Sequence, residues 1–184
     1  MTPLDVLIVR ALTAEPLLGG TRVIGIDGPS GAGKTTFAEE VATELTRRTG
    51  TRPQVVHMDD IFPGWDGLSE AVSLVATTVL EPLSRGEDGR FRRWDWLAGK
   101  RAEAVEVPAR DWIVLEGVGC ASRRCRPHLA SFAWVEADRD VRMARGMERD
   151  GESFRPHWQR WAAQEQMLFR AEGTREHANV IVRT

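Results

Sequence analysis

Residues Gly28-Pro29-Ser30-Gly31-Ala32-Gly33-Lys34-Thr35, extended by Thr36, carry the most specific chemical signal in the chain. They fit G-x-x-x-x-G-K-[ST], a spacing that binds phosphate. Glycines let the backbone curl until successive N–H groups point inward and form an anion nest. A helix starting at the end of such a loop adds its partial positive charge. Gly28, Ser30, Gly31, Ala32, Gly33, Lys34, Thr35 and Thr36 are therefore the candidate nucleotide-phosphate ligands. Lys34 brings a compact ammonium to the phosphates, where a planar guanidinium would not fit in the same way. It is one of only two lysines beside 23 arginines. The Thr35 hydroxyl is a candidate Mg²⁺ ligand. A dinucleotide-binding G-x-G-x-x-G does not fit, because Gly31-x-Gly33 runs into Lys-Thr-Thr.

Carboxylates form the second set. Asp59 and Asp60 follow one apolar run, Pro53–Met58, and Glu116 follows another, Trp112–Leu115. Ligands of open parallel sheets sit beyond the carboxyl ends of the strands, where these acids fall. Phosphoryl transfer to a hydroxyl needs a group to take or orient its proton, and a metal site needs carboxylates near Thr35. Asp59 and Glu116 are the candidates. Aromatic and charged clusters at Gly64-Trp65-Asp66-Gly67 and Arg92-Arg93-Trp94-Asp95-Trp96 are candidate acceptor contacts. There Trp65 or Trp94 would stack on a ring, Asp95 would bind a hydroxyl and Arg93 an anionic group. Arg142, Arg145 and Arg149 fall at i, i+3, i+7 on one helical face.

The elements that must position these groups follow from hydrophobic periodicity. Thr21–Asp27 is a buried strand leading into the phosphate loop, and Phe37, Val41 and Leu45 mark the helix after it, stopped by Gly50. A helical face at Leu4, Leu7, Ile8, Ala11 and Leu12 precedes them. Strands are expected at 53–58, 112–115, 132–135 and 180–182. Helices are expected along Leu68, Val72, Val75, Val79 and Leu83, and over 138–150 and 156–172. Residues 84–110 read as polar and irregular, with no hairpin in 63–110. Strands alternating with helices predict an α/β fold whose parallel sheet of five strands is covered on both faces.

Composition bounds the rest. With 184 residues, 42% hydrophobic and 28% charged, the chain suits one domain with one core. A net charge of −2 argues against general nucleic-acid binding. No run approaches the roughly 20 apolar residues of a membrane span, and no signal peptide is apparent. Cys120 and Cys125 make no disulfide framework. The expectation is a cytoplasmic domain without nucleic-acid or membrane partners. A GTPase switch is disfavoured, since Asn179 is the only Asn and no N-K-x-D signature exists.

The phosphate loop, Asp59-Asp60-Ile61-Phe62 and Leu115-Glu116-Gly117 together resemble the uridine kinase group of P-loop kinases, itself similar to pantothenate kinase and phosphoribulokinase. Asp140-Val141-Arg142-Met143-Ala144-Arg145-Gly146-Met147-Glu148-Arg149-Asp150 resembles the group's lid helix, and Ala178–Val182 its last strand. The group usually carries Tyr where Phe62 stands. The resemblance implies a three-layer P-loop NTPase fold with a small helical lid at about 138–160 and an acceptor-site insert at about 60–110. It also implies transfer of the γ-phosphoryl of Mg·ATP to a hydroxyl of a small molecule, a nucleoside such as uridine. Asp59 would be the acceptor-activating base, contacting acceptor and metal with Asp60 nearby. Thr35 and Glu116 would lie near Mg²⁺, and Arg142, Arg145 or Arg149 over the phosphates. The rivals are a nucleoside-monophosphate or sugar-acid kinase and a non-catalytic ATP-binding module.

Overall fold

A computed structural model describes residues 1–17, 19–151 and 155–184, with Arg149 and Asp150 described by their backbone alone. Helix α1 (Pro3–Thr13) is fixed at its start by a capping box: Thr2 Oγ1 accepts from Asp5 N, and the Asp5 carboxylate accepts from Thr2 N. Strand β1 (Arg22–Asp27) leads through the phosphate loop into α2 (Lys34–Thr49), which Gly50 ends in the left-handed conformation. Strand β2 (Gln54–His57) runs into a 3₁₀ turn at Met58–Asp60. Then come α3 (Leu68–Val75), a π-helical turn (Ala76–Leu80) and α4 (Glu81–Ser84).

The expected helix through Leu83 is therefore interrupted. The ring of Pro82 would clash with the Thr78 carbonyl in a regular helix. The backbone widens instead, so that Glu81 N reaches the Ala76 carbonyl.

Strands β3 (Gly89–Asp95) and β4 (Lys100–Val107) form an antiparallel hairpin, which corrects the expectation of an irregular segment there. Only Gly89, Phe91 and Val107 of its strand residues are buried, and buried–exposed alternation is confined to Gly89–Arg92, too short a run to betray a strand. Its register rests on buried Phe91 and Val107 and on cross-strand ion pairs, Arg90 with Glu106 at 3.1 Å and Arg93 with Glu103 at 2.6 Å. The remaining elements are β5 (Trp112–Glu116), β6 (Ser131–Glu136), α5 (Arg139–Asp150), α6 (Arg155–Glu172) and β7 (Val180–Arg183).

Five strands pair in the order β2-β5-β1-β6-β7, every pair parallel. All residues of β5 and all but the first of β1 are buried, as expected of strands covered on both faces. One face packs Ile24, Ile26 and Val114 against Leu7 and Ile8 of α1 and Phe37 and Val41 of α2. The other packs Val23, Val56 and Leu115 against α3, the π turn and Trp161 of α6. The fold is thus the three-layer α/β arrangement that the sequence predicts.

α1 is part of this core rather than an appendage. Leu7 is fully buried, and its carbonyl accepts from Ser131 Oγ on β6 at 3.0 Å. Leu7→Ala is expected to lower the unfolding free energy by about 2–5 kcal/mol in urea titration, the usual cost of deleting a buried leucine side chain.

Candidate active site

The phosphate loop owes its shape to the end of β1. Gly28 and Gly31 both have positive φ, and a Cβ would overlap the Val135 carbonyl at the first and the Arg142 carbonyl at the second. Glycine is therefore required at both positions for two reasons. α2 begins at Lys34, so its N-terminal dipole points into the loop. Lys34 is buried, with Nζ donating to the Pro29 carbonyl at 3.0 Å. A cavity of about 230 Å³ opens in front, lined by Lys34, Thr35, Thr36, Asp59, Glu116 and Arg145.

Glu116 reaches this cavity because β5 lies between β1 and β2. It is buried, and its Oε1 accepts from Thr35 Oγ1 at 3.2 Å and lies 2.6 Å from Nδ1 of His57, its register partner on β2. The hydrogen bond to Glu116 pushes the His57 pKa up from its ordinary value. His57, which reads in the sequence as a strand-end core residue, is instead half-buried at the site. Asp59 is exposed on the 3₁₀ turn, and its carbonyl accepts from Trp96 Nε1 at 2.9 Å. Asp60 beside it is half-buried, and that burial raises its carboxyl pKa.

The expected acceptor residues divide into two groups. Trp65 sits in an aromatic cluster beside the Asp59 turn: it stacks on His157 of α6 at 4.6 Å, meets Trp96 at 4.9 Å and turns its edge to Trp161. The other residues serve the hairpin. Arg93 is held by both carboxylate oxygens of Glu103. Asp95 caps the turn by accepting from Leu97 N and Ala98 N. Trp94 lies under the Arg101 guanidinium, which donates to the Ile61 carbonyl and so fastens the hairpin to the Asp59 turn.

Of the three expected helix arginines, Arg145 lines the cavity, with Nη1 donating to Thr184 Oγ1 at 2.8 Å. Arg142 lies behind the loop, donating to the Ser30 and Ala137 carbonyls. The side chain of Arg149 lies outside the described residues.

Three further residues belong to the site. Asp27, fully buried at the end of β1, accepts from Gly28 N, Gly119 N and Ala121 N at 2.7–2.9 Å. It could have been found by the logic that singles out Glu116, an acid closing a buried apolar run. Trp161 and Glu165 of α6 bond to Ser30, and nothing in the helical pattern distinguishes them from packing residues.

No family model matches the chain. It is 30% identical to a uridine kinase of Halobacterium salinarum over 142 residues, covering 69% of this chain and 61% of that relative's length. It is 29% identical to a uridine kinase of Leuconostoc citreum over 181 residues, covering 87% and 86%. A structure from Bacillus stearothermophilus described as a possible uridine kinase superposes with a TM-score of 0.68 at 22% identity, over 98% of this chain and 97% of that one. These similarities are to uridine kinase-like P-loop NTPases.

Asp27 is the most perturbed carboxyl group near the phosphate loop. Burial raises its pKa from 3.8 to about 6, against the opposing pull of its three N–H donors and of Lys34. The folded chain therefore holds this proton more tightly than the unfolded chain does. The contribution of Asp27 to stability is complete below its unfolded value and is lost as pH rises through about 6. Asp27→Asn is expected to remove that fall from the urea midpoint between about pH 4 and 6.5. An unaltered slope would place the titration on another group.

Proposed function

We propose that this chain transfers the γ-phosphoryl of Mg·ATP to a hydroxyl of an uncharged small molecule, with a nucleoside such as uridine as the leading acceptor. The observation that carries this reading is the shared cavity: one space is faced by the phosphate loop with Lys34, by the oxygen donors Thr35 and Glu116, by Asp59 and by Arg145. Relatives named uridine kinase support the same reading.

The donor set suits Mg²⁺, which takes hard oxygen ligands. Among the described residues no three His, Cys, Asp or Glu side chains cluster to hold a metal by themselves. Phosphate oxygens and waters would complete the shell that Thr35 and Glu116 begin. Mg·ATP supplies the phosphoryl group, and Mg²⁺ offsets the charge on its oxygens. Lys34 and the loop N–H groups hold the phosphates, and Arg145 faces the same oxygens. Asp59 accepts or orients the proton of the attacking hydroxyl. The chain acts as one kinase unit, with α5 and α6 as a lid around 138–160 and residues 60–110 as the acceptor side. Among the described residues no helix is long and apolar enough to cross a membrane.

Neutral acceptors are favoured over nucleoside monophosphates and sugar acids by the state of the hairpin arginines. Arg90 and Arg93 are paired with glutamates, and Arg92 donates twice to the Ala102 carbonyl. An acceptor phosphate or carboxylate would have to break one of these arrangements.

With Mg·ATP, uridine and cytidine are expected to release ADP faster than UMP or gluconate in a coupled assay. Turnover confined to the anionic acceptors would overturn the neutral reading, and nucleotide binding with no accelerating acceptor would point to a non-catalytic module. Asp59→Asn is expected to lower kcat by about 10²–10⁴ while leaving the Mg·ADP dissociation constant within about threefold. Full turnover by that variant would remove Asp59 from the role of base.

A further inference from the structure

Glu165 is only 3% exposed, and it faces the phosphate loop rather than solvent. Its Oε1 accepts from Ser30 N at 2.7 Å and from Trp161 Nε1 at 2.8 Å. The same Trp161 N–H is shared with Ser30 Oγ at 2.8 Å. Arg142 of α5 places Nη1 3.9 Å from Glu165 Oε2 and donates it to the Ser30 carbonyl at 3.2 Å. Ser30 is therefore held at its N–H, its carbonyl and its hydroxyl, every time by a side chain of α5 or α6.

A buried carboxylate persists only where donors and counter-charge compensate its desolvation. Here the compensation comes from two N–H groups and a guanidinium, and one of those N–H groups belongs to the phosphate loop itself. The next residue, Gly31, has φ +76°, and glycine can leave that conformation at little cost. The Ser30–Gly31 peptide is thus a point at which the loop could reorient if nothing held it. The N–H groups that must converge on a phosphate follow directly after it.

We propose that Glu165 is a positioning residue of the nucleotide site. It fixes the Pro29–Ser30 peptide at the Ser30 N–H while Arg142 fixes the next peptide at the Ser30 carbonyl, so that the N–H groups from Gly31 to Thr35 are aimed before a phosphate arrives. Trp161 supports it from the acceptor side, where its ring meets Phe62 edge-on at 4.9 Å. The inference rests on reading residues 28–35 as a nucleotide site, and does not depend on which acceptor is phosphorylated.

The test is calorimetric titration of the full chain with Mg·ADP, alongside melting without nucleotide, for the wild type, Glu165→Gln, Glu165→Leu and Trp161→Phe. Glu165→Gln keeps a carbonyl acceptor of the same shape, so its Kd is expected within about threefold of wild type. Glu165→Leu leaves the Ser30 N–H without its acceptor and is expected to weaken binding roughly tenfold or more. Trp161→Phe keeps the ring and loses the donor, with an expected weakening of about threefold.

A role confined to stability would lower the melting temperature and the fraction of binding-competent protein but leave Kd unchanged, and that result overturns the inference. Tighter binding by Glu165→Leu also overturns it, since the carboxylate would then merely oppose the phosphate. If Glu165→Leu does not fold, an unchanged Kd for Trp161→Phe decides against the inference. A wild type that fails to bind Mg·ADP overturns both this inference and the nucleotide reading. A wild type that binds Mg·ADP but phosphorylates no acceptor overturns only the transfer function.

Discussion

Asp27 joins the two loops on which the site depends. Its carboxylate accepts from the first N–H of the phosphate loop and from two N–H groups of the segment that follows Glu116. β1 and β5 are already fixed side by side by parallel pairing, with Ile26 opposite Glu116. The buried carboxylate extends that registration past the ends of the strands, beyond the bond from Gly117 N to the Ile26 carbonyl. The relative position of Lys34 and Glu116, one from each side of this joint, follows from it. The cost is a charge in the core, and the raised pKa is the measure of that cost.

The charges of the cavity are arranged on different elements by the same logic. Lys34 comes from the start of α2, Glu116 from β5, Asp59 from the turn after β2 and Arg145 from α5. Each carboxylate stands at the carboxyl end of a parallel strand, and each cation at or near a helix that packs over those ends. No single element holds a complete set, so the sheet order itself is a functional requirement. Near its tip the hairpin is fastened to the Asp59 turn, where Trp96 and Arg101 donate to the Asp59 and Ile61 carbonyls.

Much of this was legible in the sequence because the relevant signals are local. The strand, loop and helix around Lys34 are specified by consecutive residues, and the buried strands announce themselves as apolar runs. Glu116 was recognisable as an acid that closes such a run. The hairpin was not legible, because its strands are rich in charge and are held across by ion pairs: Arg90 faces Glu106 and Arg93 pairs with Glu103, so the pattern looks like a solvated loop. In a chain with 23 arginines, sequence alone does not separate an arginine that lines the cavity from one that stitches two strands. Arg93 and Arg145 look alike until their partners are seen. Glu165 was hidden for a different reason, since its partner Ser30 lies 135 residues away and its own helix is regular around it.

α6 holds two neighbours at once. Trp161 and Glu165 grip Ser30, while His157 stacks on Trp65, Gln164 donates to the Trp65 carbonyl and Arg160 pairs with Asp66. At 3.6 residues per turn these two groups of side chains lie on adjacent strips of the helix surface, about 80° apart around its axis. Trp161 belongs to both, since its N–H meets Ser30 and its ring edge meets Trp65. Displacing α6 would therefore disturb the phosphate loop and the Trp65 segment together, and the helix couples the two sides of the cavity through one indole.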